Sequence, residues 1–142
     1  MIWFKKYNVK DWESRVGKTI HDSLGIRITH IGEDSVSGTM PIDWRTFQPM
    51  KILHGGASVV LAESLGSIGS AMLVDPDKYY AVGQSINANH VRPGLKGLAN
   101  GIAKPIHIGT RSHIWDIEIF NDDKKLMCTC RLTMAIVQLP VK

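Results

Sequence analysis

The chain has 142 residues, of which 44% are hydrophobic and 21% charged, and its formal net charge is +4. This length suits one domain with its own core, which we predict to span residues 1–142. The mild positive charge fits an anionic ligand, but no dense lysine and arginine run indicates nucleic-acid binding. We expect no secretory signal and no membrane-spanning segment, and therefore a cytoplasmic protein.

The N-terminal part of the chain predicts a short helical lead-in followed by two strands. Residues 1–24 form the lead-in, within which residues 8–22 have weak helical character and are expected to form one or two turns. In residues 25–42, two apolar segments flank a polar turn at Gly32, Glu33 and Asp34, a pattern typical of paired strands. Residues 43–51 are predicted to be a loop.

A long apolar helix follows this loop, and Glu63 is the only charged residue between Ala57 and Leu73. The sequence Asp75-Pro76-Asp77 is expected to end the helix. Burying an ionised carboxylate without a partner is costly, so such a group usually has hydrogen bonds, a shifted pKa or a function. Two interpretations stay open: Glu63 serves chemistry, or it bonds a backbone group while the small residues allow close helix packing.

The rest of the chain predicts four strands, in residues 79–93, 97–109, 111–120 and 126–137. Short turns join them, so neighbouring strands should be antiparallel. A sheet with one long buried helix must wrap that helix, since no other element is available to cover it. We therefore expect an α+β fold, with an antiparallel sheet of about six strands wrapped around one central helix. A second subunit is the simplest cover for the helix face turned away from the sheet.

The start of the helix, His54-Gly55-Gly56, offers backbone N–H groups that have no acceptor within the helix. With the helix dipole behind them, these groups suit a carbonyl oxygen that becomes an oxyanion. Glu63 lies eight residues after Gly55, roughly 12 Å along the helix axis. Both cannot contact one carbonyl within one chain. An antiparallel partner helix would bring Glu63 of one chain to Gly55 of the other, so the spacing indicates a site shared between subunits.

Small residues follow Glu63 on the same helix face. Gly66, Ser67 and Ser70 lie three, four and seven positions further on, which places them on one side of a helix. We expect this face to leave room for a ligand.

The six histidines are scattered, and the two cysteines, Cys128 and Cys130, share one face of a predicted strand. No second ligand pair for zinc accompanies them. We expect reduced structural thiols and no metal.

The segments HGGASVVLAE (54–63), INANHVRP (86–93) and PIHIGTR (105–111), with Gln48-Pro49 upstream, resemble the hotdog-fold acyl-CoA thioesterases. The resemblance extends from about Gly25 to Val137. The similar subgroups act on phenylacetyl-, 4-hydroxybenzoyl- and 1,4-dihydroxy-2-naphthoyl-CoA. Hydrolases of the last type, from menaquinone biosynthesis, resemble the chain most.

The resemblance implies a role for each residue that matches the family pattern. The Gly55 amide would polarise the thioester carbonyl, and Glu63 of the neighbouring subunit would act as nucleophile or general base. Gln48 and His54 would orient the thioester and order Gly55, and Ser67 would bind Glu63 or the attacking water.

The resemblance also implies a set of residues that hold coenzyme A: Gly83, His90, Val91, Arg92, Pro93, His107, Ile108, Gly109, Thr110, Arg111 and Ser112. Arg92 and Arg111 are the expected phosphate ligands, since a guanidinium group matches phosphate geometry. Trp44, Phe47, Met50 and Tyr80 either line an acyl pocket that favours aromatic groups or simply pack.

The expected reaction is hydrolysis of an acyl-CoA, 1,4-dihydroxy-2-naphthoyl-CoA being the leading substrate, without a further cofactor. The expected assembly is a homo-oligomer, a dimer of dimers with shared sites. Phenylacetyl-, hydroxybenzoyl- or medium-chain acyl-CoA are alternative substrates. A hotdog dehydratase would use His54 with Glu63, but Gln48 upstream favours a thioesterase. A non-catalytic acyl-CoA-binding protein is the remaining alternative.

Overall fold

The computed structural model describes residues 1–141 of the chain. Its helices are α1 (Val9–Glu13), α2 (Ile20–Leu24) and α3 (Gly55–Leu73). Its strands are β1 (Arg27–Ile31), β2 (Val36–Pro41), β3 (Tyr79–His90), β4 (Leu98–Ile108), β5 (Ser112–Phe120) and β6 (Leu126–Gln138). The strands form one antiparallel sheet in the order β1-β2-β4-β5-β6-β3. The predicted α+β architecture, a six-stranded sheet around one long helix, is confirmed.

Helix α3 forms the centre of the core and contacts every strand from β2 to β6. Leu61, Leu65 and Met72 are fully buried on the helix, and they pack within one apolar cluster that includes Trp115 and Leu132 of the sheet. Burial of each such aliphatic side chain contributes about 1.5–3 kcal/mol. Alternate residues of β5 and β6 point to the helix, as the period of a strand requires.

Helix α3 is also the part of residues 1–141 that is long and apolar enough to cross a membrane. In this fold, however, 56% of its most apolar window is buried inside the protein. The sheet that wraps the helix accounts for the apolar composition, and α3 is a core helix.

The N-terminal lead-in contains two short, well-capped helices. Asn8 and Asp11 form a reciprocal capping box at α1, and Thr19 caps α2. Before them, the Trp3 indole is buried and donates a hydrogen bond to the Gly32 carbonyl at 2.8 Å. These contacts hold the first residues of the chain against the β1–β2 turn.

Strand β3 lies at one edge of the sheet and pairs only with β6 within the chain. It is twelve residues long, and most of them are exposed. Long exposed edges are unusual because they pair readily with other strands. Beside this edge, α3 presents a half-buried stripe formed by Val60, Glu63, Ser64, Ser67 and Ala71. This edge and stripe are therefore available for a second chain.

Candidate active site

The N-terminus of α3 leaves one backbone donor free. His54 caps the helix, and its Nδ1 accepts a hydrogen bond from the Gly56 N–H at 2.8 Å. The next two N–H groups, of Ala57 and Ser58, donate to the His54 carbonyl. Within residues 1–141, the Gly55 N–H has no acceptor. The Gly55 amide is thus the group at this helix end that a ligand oxygen can reach without displacing a protein partner.

The His90 ring lies close to Gly55, on the side where a side chain would project. A β-carbon at Gly55 would be only 2.8 Å from His90 Nε2, so the absence of a side chain at Gly55 lets the imidazole approach the helix end. His90 ends β3, where it pairs with Cys128 of β6. The structure therefore brings together Gly55 and His90, two residues that the sequence placed in different parts of the site.

The residues after His90 form the rim of a cavity of about 360 Å³ beside Gly55. The chain turns here because the N–H groups of Val91 and Arg92 both donate to the Met127 carbonyl, at 2.8 and 3.3 Å. The cavity is lined by Gly55 together with His90, Val91, Arg92 and Pro93, and by neighbouring residues of α3 and β6. Five residues of the predicted site therefore share one cavity.

Gln48 lies in a tight turn just before the helix. Its backbone pairs with Ile52 and Lys51, and Lys51 adopts a left-handed conformation with φ of 62°. The Gln48 side-chain carbonyl accepts a hydrogen bond from the Met50 N–H. The side-chain NH₂ of Gln48 stays free to donate to a ligand. Close by, the His54 N–H donates to the Thr46 carbonyl at 2.8 Å, which connects this turn to the start of α3.

Glu63 faces β3 and lies against Gly83. A β-carbon at Gly83 would overlap the Glu63 carboxylate, so glycine is required for this close approach. The strand register shifts immediately after Gly83, where Gln84 is inserted opposite β6. Within the described residues the carboxylate has neither a hydrogen bond nor an ion pair. Gly83, predicted to contact coenzyme A, thus lies beside the candidate catalytic acid; its contact with coenzyme A stays a prediction.

Ser67 does not contact Glu63 in the chain. Its hydroxyl donates to the Met134 sulfur at 3.6 Å, so its predicted role toward Glu63 or a water stays a prediction. The space for a ligand that the sequence predicted on this helix face is absent at Gly66. A β-carbon at Gly66 would lie 2.5 Å from Leu132 and 3.4 Å from Trp115. Ser70 accepts a hydrogen bond from the Trp115 indole. The expectation of a ligand space beside Gly66 and Ser70 is wrong, because Leu132 packs on Gly66 and Trp115 bonds Ser70.

The second predicted segment for coenzyme A, residues 107–112, forms the hairpin between β4 and β5. The Gly109 N–H donates to the Ser112 carbonyl at 2.9 Å, and the Arg111 carbonyl accepts from Ile136. The His107 ring packs on Gly109. The side chains of His107, Ile108, Thr110 and Arg111 are exposed. This hairpin is therefore an open surface of mixed polarity rather than part of the Gly55 cavity.

The hairpin and the Gly55 cavity lie at opposite ends of α3. Residue 113, next to the hairpin, contacts Ser70, which is fifteen residues, roughly 22 Å, from Gly55 along the helix. Glu63 lies between them. One chain thus presents the predicted residues in three separate groups: around Gly55, around Glu63 and around the hairpin.

Sequence reasoning missed the hydrogen bond between His113 and Ser70 and the contact between Gly83 and Glu63. A signal for His113 was present, since this polar residue occupies an inward position of an otherwise apolar strand. Gly83 carried a weaker signal, a glycine inside a predicted strand.

The two cysteine thiols lie 3.5 Å apart and are buried and free. The Cys130 thiol lowers the pKa of Cys128, and the same contact, with burial, raises the pKa of Cys130. Among residues 1–141, no group of three histidine, cysteine or acidic residues could hold a metal ion.

Comparison with known proteins identifies related chains. The family model described as the thioesterase superfamily matches residues 50–128. The chain is 44% identical to the 1,4-dihydroxy-2-naphthoyl-CoA hydrolase of Escherichia coli K12, over 96% of this chain and 100% of the relative. The crystal structure of a glutamine-to-alanine variant of thioesterase PA1618 from Pseudomonas aeruginosa has a TM-score of 0.96 and 44% identity. It covers 98% of this chain and 100% of that one.

Two crystal structures of SAV0944 from Staphylococcus aureus are also similar, with TM-scores of 0.82 and 0.80 and identities of 38% and 37%. They cover 84% and 82% of this chain, and 99% and 97% of their own. One carries alanine in place of a glutamate, and the other carries alanine in place of a glutamine fifteen positions earlier. Gln48 and Glu63 have the same separation of fifteen positions.

Proposed function

Because this chain belongs to the thioesterase superfamily and is a thioester hydrolase with the hotdog fold, we propose that it hydrolyses an aromatic acyl-CoA to the free acid and coenzyme A. The leading substrate is 1,4-dihydroxy-2-naphthoyl-CoA. The observation that carries this assignment is the 44% identity, over the whole length of the relative, to an enzyme named for that substrate.

The Gly55 amide binds the thioester oxygen as negative charge develops on it. Its free N–H at the positive end of α3 supports this role. One donor of an oxyanion hole contributes about 3 kcal/mol to the stabilisation of a transition state. Gly55 also gives the substrate the close backbone approach that a side chain would prevent.

Glu63 supplies the attacking group. As nucleophile, its carboxylate oxygen bonds the thioester carbon, coenzyme A leaves as the thiolate, and water cleaves the mixed anhydride. As general base, it takes a proton from water, whose oxygen attacks the same carbon while the C–S bond breaks. In both routes the thiolate leaving group is protonated to the free thiol. A carboxylate without protein partners is available for either route.

Two subunits build each site. Eight residues separate Gly55 from Glu63, roughly 12 Å along α3, so one chain cannot apply both to one carbonyl. A two-fold axis that places a second α3 antiparallel on the half-buried stripe brings the partner copy of the acid to Gly55. The free edge of β3 beside this stripe can pair with its own copy. The assembly is a dimer with shared sites, and dimers can associate further into tetramers.

Gln48 and His54 position the thioester. The free side-chain NH₂ of Gln48 can donate to the substrate, while its carbonyl is occupied by Met50. His54 orders the helix start by accepting from Gly56. The glutamine and glutamate replaced in the Staphylococcus aureus structures have the spacing of Gln48 and Glu63, which supports carrying the pair over to this chain.

Arg92 and Arg111 bind phosphate groups of coenzyme A. Arg92 lies on the rim of the Gly55 cavity, and Arg111 lies on the hairpin. If the partner acid reaches Gly55, the hairpin of that partner lies beyond the helix N-terminus. In that partner, Ser70, which contacts residue 113 next to the hairpin, lies seven residues after Glu63, roughly 10 Å along α3. The two arginines thus come from different chains. Arg92 lies nearer the thioester, and Arg111 lies further out along coenzyme A.

The turn before α3 provides an apolar surface for the acyl group. Trp44 and Met50 are 82% and 77% exposed, and they flank Gln48 in sequence. Phe47 is half-buried in the same turn. A large exposed tryptophan beside a catalytic segment suits an aromatic acyl group, since aromatic pairs contribute beyond their buried area.

Hydrolysis with a panel of substrates tests the assignment. We expect the highest kcat/KM with 1,4-dihydroxy-2-naphthoyl-CoA, lower values with benzoyl- and phenylacetyl-CoA, and the lowest with straight-chain acyl-CoA. Faster turnover of long alkyl chains would overturn the aromatic assignment. Dehydration of a 3-hydroxyacyl-CoA would identify the dehydratase alternative, and binding of acyl-CoA without turnover would identify the non-catalytic one. No added metal or cofactor should be needed, and dialysis against a chelator should leave activity intact.

A further inference from the structure

A buried polar cluster joins α3 to β5. Ser70 Oγ lies 2.8 Å from Trp115 Nε1, which donates to it, and 3.0 Å from His113 Nδ1. Ser70 and Trp115 are fully buried, and His113 is 2% exposed. The proposed chemistry uses none of these three side chains, although buried polar groups are costly unless every one is satisfied.

The cluster reaches the β4–β5 hairpin through His113. Burial lowers the pKa of His113. In the sheet, His113 pairs with Ile108 and directly follows Ser112, so it lies at the base of the hairpin. The Trp115 indole can only donate. The Ser70 hydroxyl accepts from Trp115 and can therefore donate to His113 Nδ1. A chain of hydrogen bonds thus connects the interior of α3 with the residue at the base of the hairpin.

The hairpin is held from its other sides as well. The Arg111 carbonyl accepts from the Ile136 N–H of β6 at 2.9 Å, and the His107 ring packs on Gly109. By contrast, the side chain of Arg111 is exposed and forms no ion pair among the described residues. A rigid backbone that presents a free guanidinium group is suited to hold an anion, because little ordering remains to be done when the anion binds.

We propose that Ser70 and His113 are positioning residues, which fix the Gly109–Ser112 hairpin so that Arg111 receives the phosphates of coenzyme A. This inference rests on the proposed function, and it assigns roles to two side chains that touch neither the thioester nor coenzyme A. It explains why a polar triad stands in a core position where apolar side chains would pack at lower cost.

The test compares two thioesters of the same acyl group, one on coenzyme A and one on N-acetylcysteamine, which has no nucleotide. Ser70→Ala and His113→Phe should each raise KM for the acyl-CoA about tenfold, the effect of losing one charge-assisted hydrogen bond. Both variants should keep kcat for the acyl-CoA, and kcat/KM for the N-acetylcysteamine thioester, near the wild-type values. Arg111→Ala should show the same selective loss. His113→Asn retains a polar atom near the Nδ1 position, which Ser70 contacts, and should recover most of the loss.

Ser23→Ala is the control, since it removes an exposed hydroxyl that bonds only the Thr19 carbonyl, on α2 and outside the proposed site. This control variant should have wild-type kcat and KM with both thioesters. If His113→Phe does not fold, Ser70→Ala carries the test, with thermal unfolding as the check on its fold. Equal losses with both thioesters, or no loss with the acyl-CoA, would overturn the positioning role while wild-type turnover still supports the proposed function. A wild-type chain inactive on both thioesters would overturn the proposed function, and this inference with it.

Discussion

Gly83 of the edge strand lies against the carboxylate of Glu63 so closely that a β-carbon at Gly83 would overlap it. The contact joins the centre of α3 to β3 at the point where the strand register shifts. Within the described chain, Glu63 has no hydrogen bond that fixes its position. The backbone of Gly83 therefore limits the positions that the carboxylate of Glu63 can occupy.

Gly83→Ala should reduce catalysis more than stability. The atom in the way is the end of a flexible side chain, and the backbone of Gly83 is not in the left-handed region. The new methyl group should displace the carboxylate by about 1 Å, which can cost 100-fold in rate. We expect kcat to fall by about 10- to 100-fold and Tm to change little. Gly17→Ala is the control, since no atom lies within 4 Å of its added β-carbon.

Glu63→Gln should abolish most hydrolysis while the fold is retained. The amide has nearly the same shape but can act neither as a nucleophilic carboxylate nor as a base. Loss of such a group typically costs 100- to 10,000-fold in kcat. Steady-state kinetics with an acyl-CoA measures the loss, and circular dichroism with thermal unfolding verifies the fold. Turnover within a few-fold of wild type would exclude Glu63 as the catalytic acid.

A complementation experiment tests the shared site. Gln48→Ala and Glu63→Ala should each be inactive alone. If the two residues meet across the two-fold axis, a mixed dimer has one intact site and one doubly altered site. Co-expression with two affinity tags, followed by isolation of the mixed dimer, should restore about half of the wild-type activity. No recovery in that mixed dimer would place both residues in one chain.

Much of this architecture could be predicted from periodicity and turn residues. The central helix, the strand order along the chain and the buried positions of His113, Trp115 and Ile117 follow local patterns. Short turns join the antiparallel neighbours β4, β5 and β6, as expected, but β3 pairs with β6 instead of with β4, the next strand along the chain. What could not be predicted was packing across the sheet, because it depends on which side chain of β5 meets which residue of α3.

Gly66 and Ser70 illustrate this limit. Small residues on a helix face are compatible with a ligand space or with a large neighbour, and the sequence alone does not distinguish these. The structure places the Trp115 ring over Gly66 and Gly69 and joins its indole to Ser70. The free amide of Gly55 was easier to predict because the unpaired N–H groups of a helix N-terminus depend on local structure.

Trp44→Ala should change substrate preference. The tryptophan is 82% exposed, so its removal should have little effect on Tm. We expect kcat/KM to fall about tenfold with aromatic acyl-CoA, in keeping with the modest selectivity of apolar pockets, and less with straight-chain acyl-CoA. Ile20→Ala, an exposed apolar residue of α2, is the control for a general surface effect. Equal losses with both substrate classes would assign Trp44 to packing or assembly.

The stability of the folded protein should fall as the pH drops below about 6.5. Burial lowers the pKa of both His113 and His21 below the usual 6.5. As the pH falls, the unfolded chain therefore takes up these protons before the folded chain does. The contribution of the two histidines to the free energy of unfolding is complete above pH 6.5, and it decreases with falling pH until the folded groups also titrate. The charge of the neighbouring His107 lowers the pKa of His113 further. Several carboxyls, including Asp43, Asp75 and Asp122, have lowered pKa values, so their contribution is lost only in more acidic solution.

Urea unfolding at pH 7.5, 6.5 and 5.5, at one protein concentration, measures this dependence. His113→Gln should be less stable than wild type at pH 7.5 because it loses part of the buried cluster. Its unfolding free energy should nevertheless decline less between pH 7.5 and 5.5, because one proton-binding group of the unfolded chain is gone. Each such proton can change stability by at most about 1.4 kcal/mol per pH unit. His30→Gln, at an exposed position on β1, serves as the comparison. An unchanged pH dependence in His113→Gln would show that protonation of the buried ring does not control acid stability.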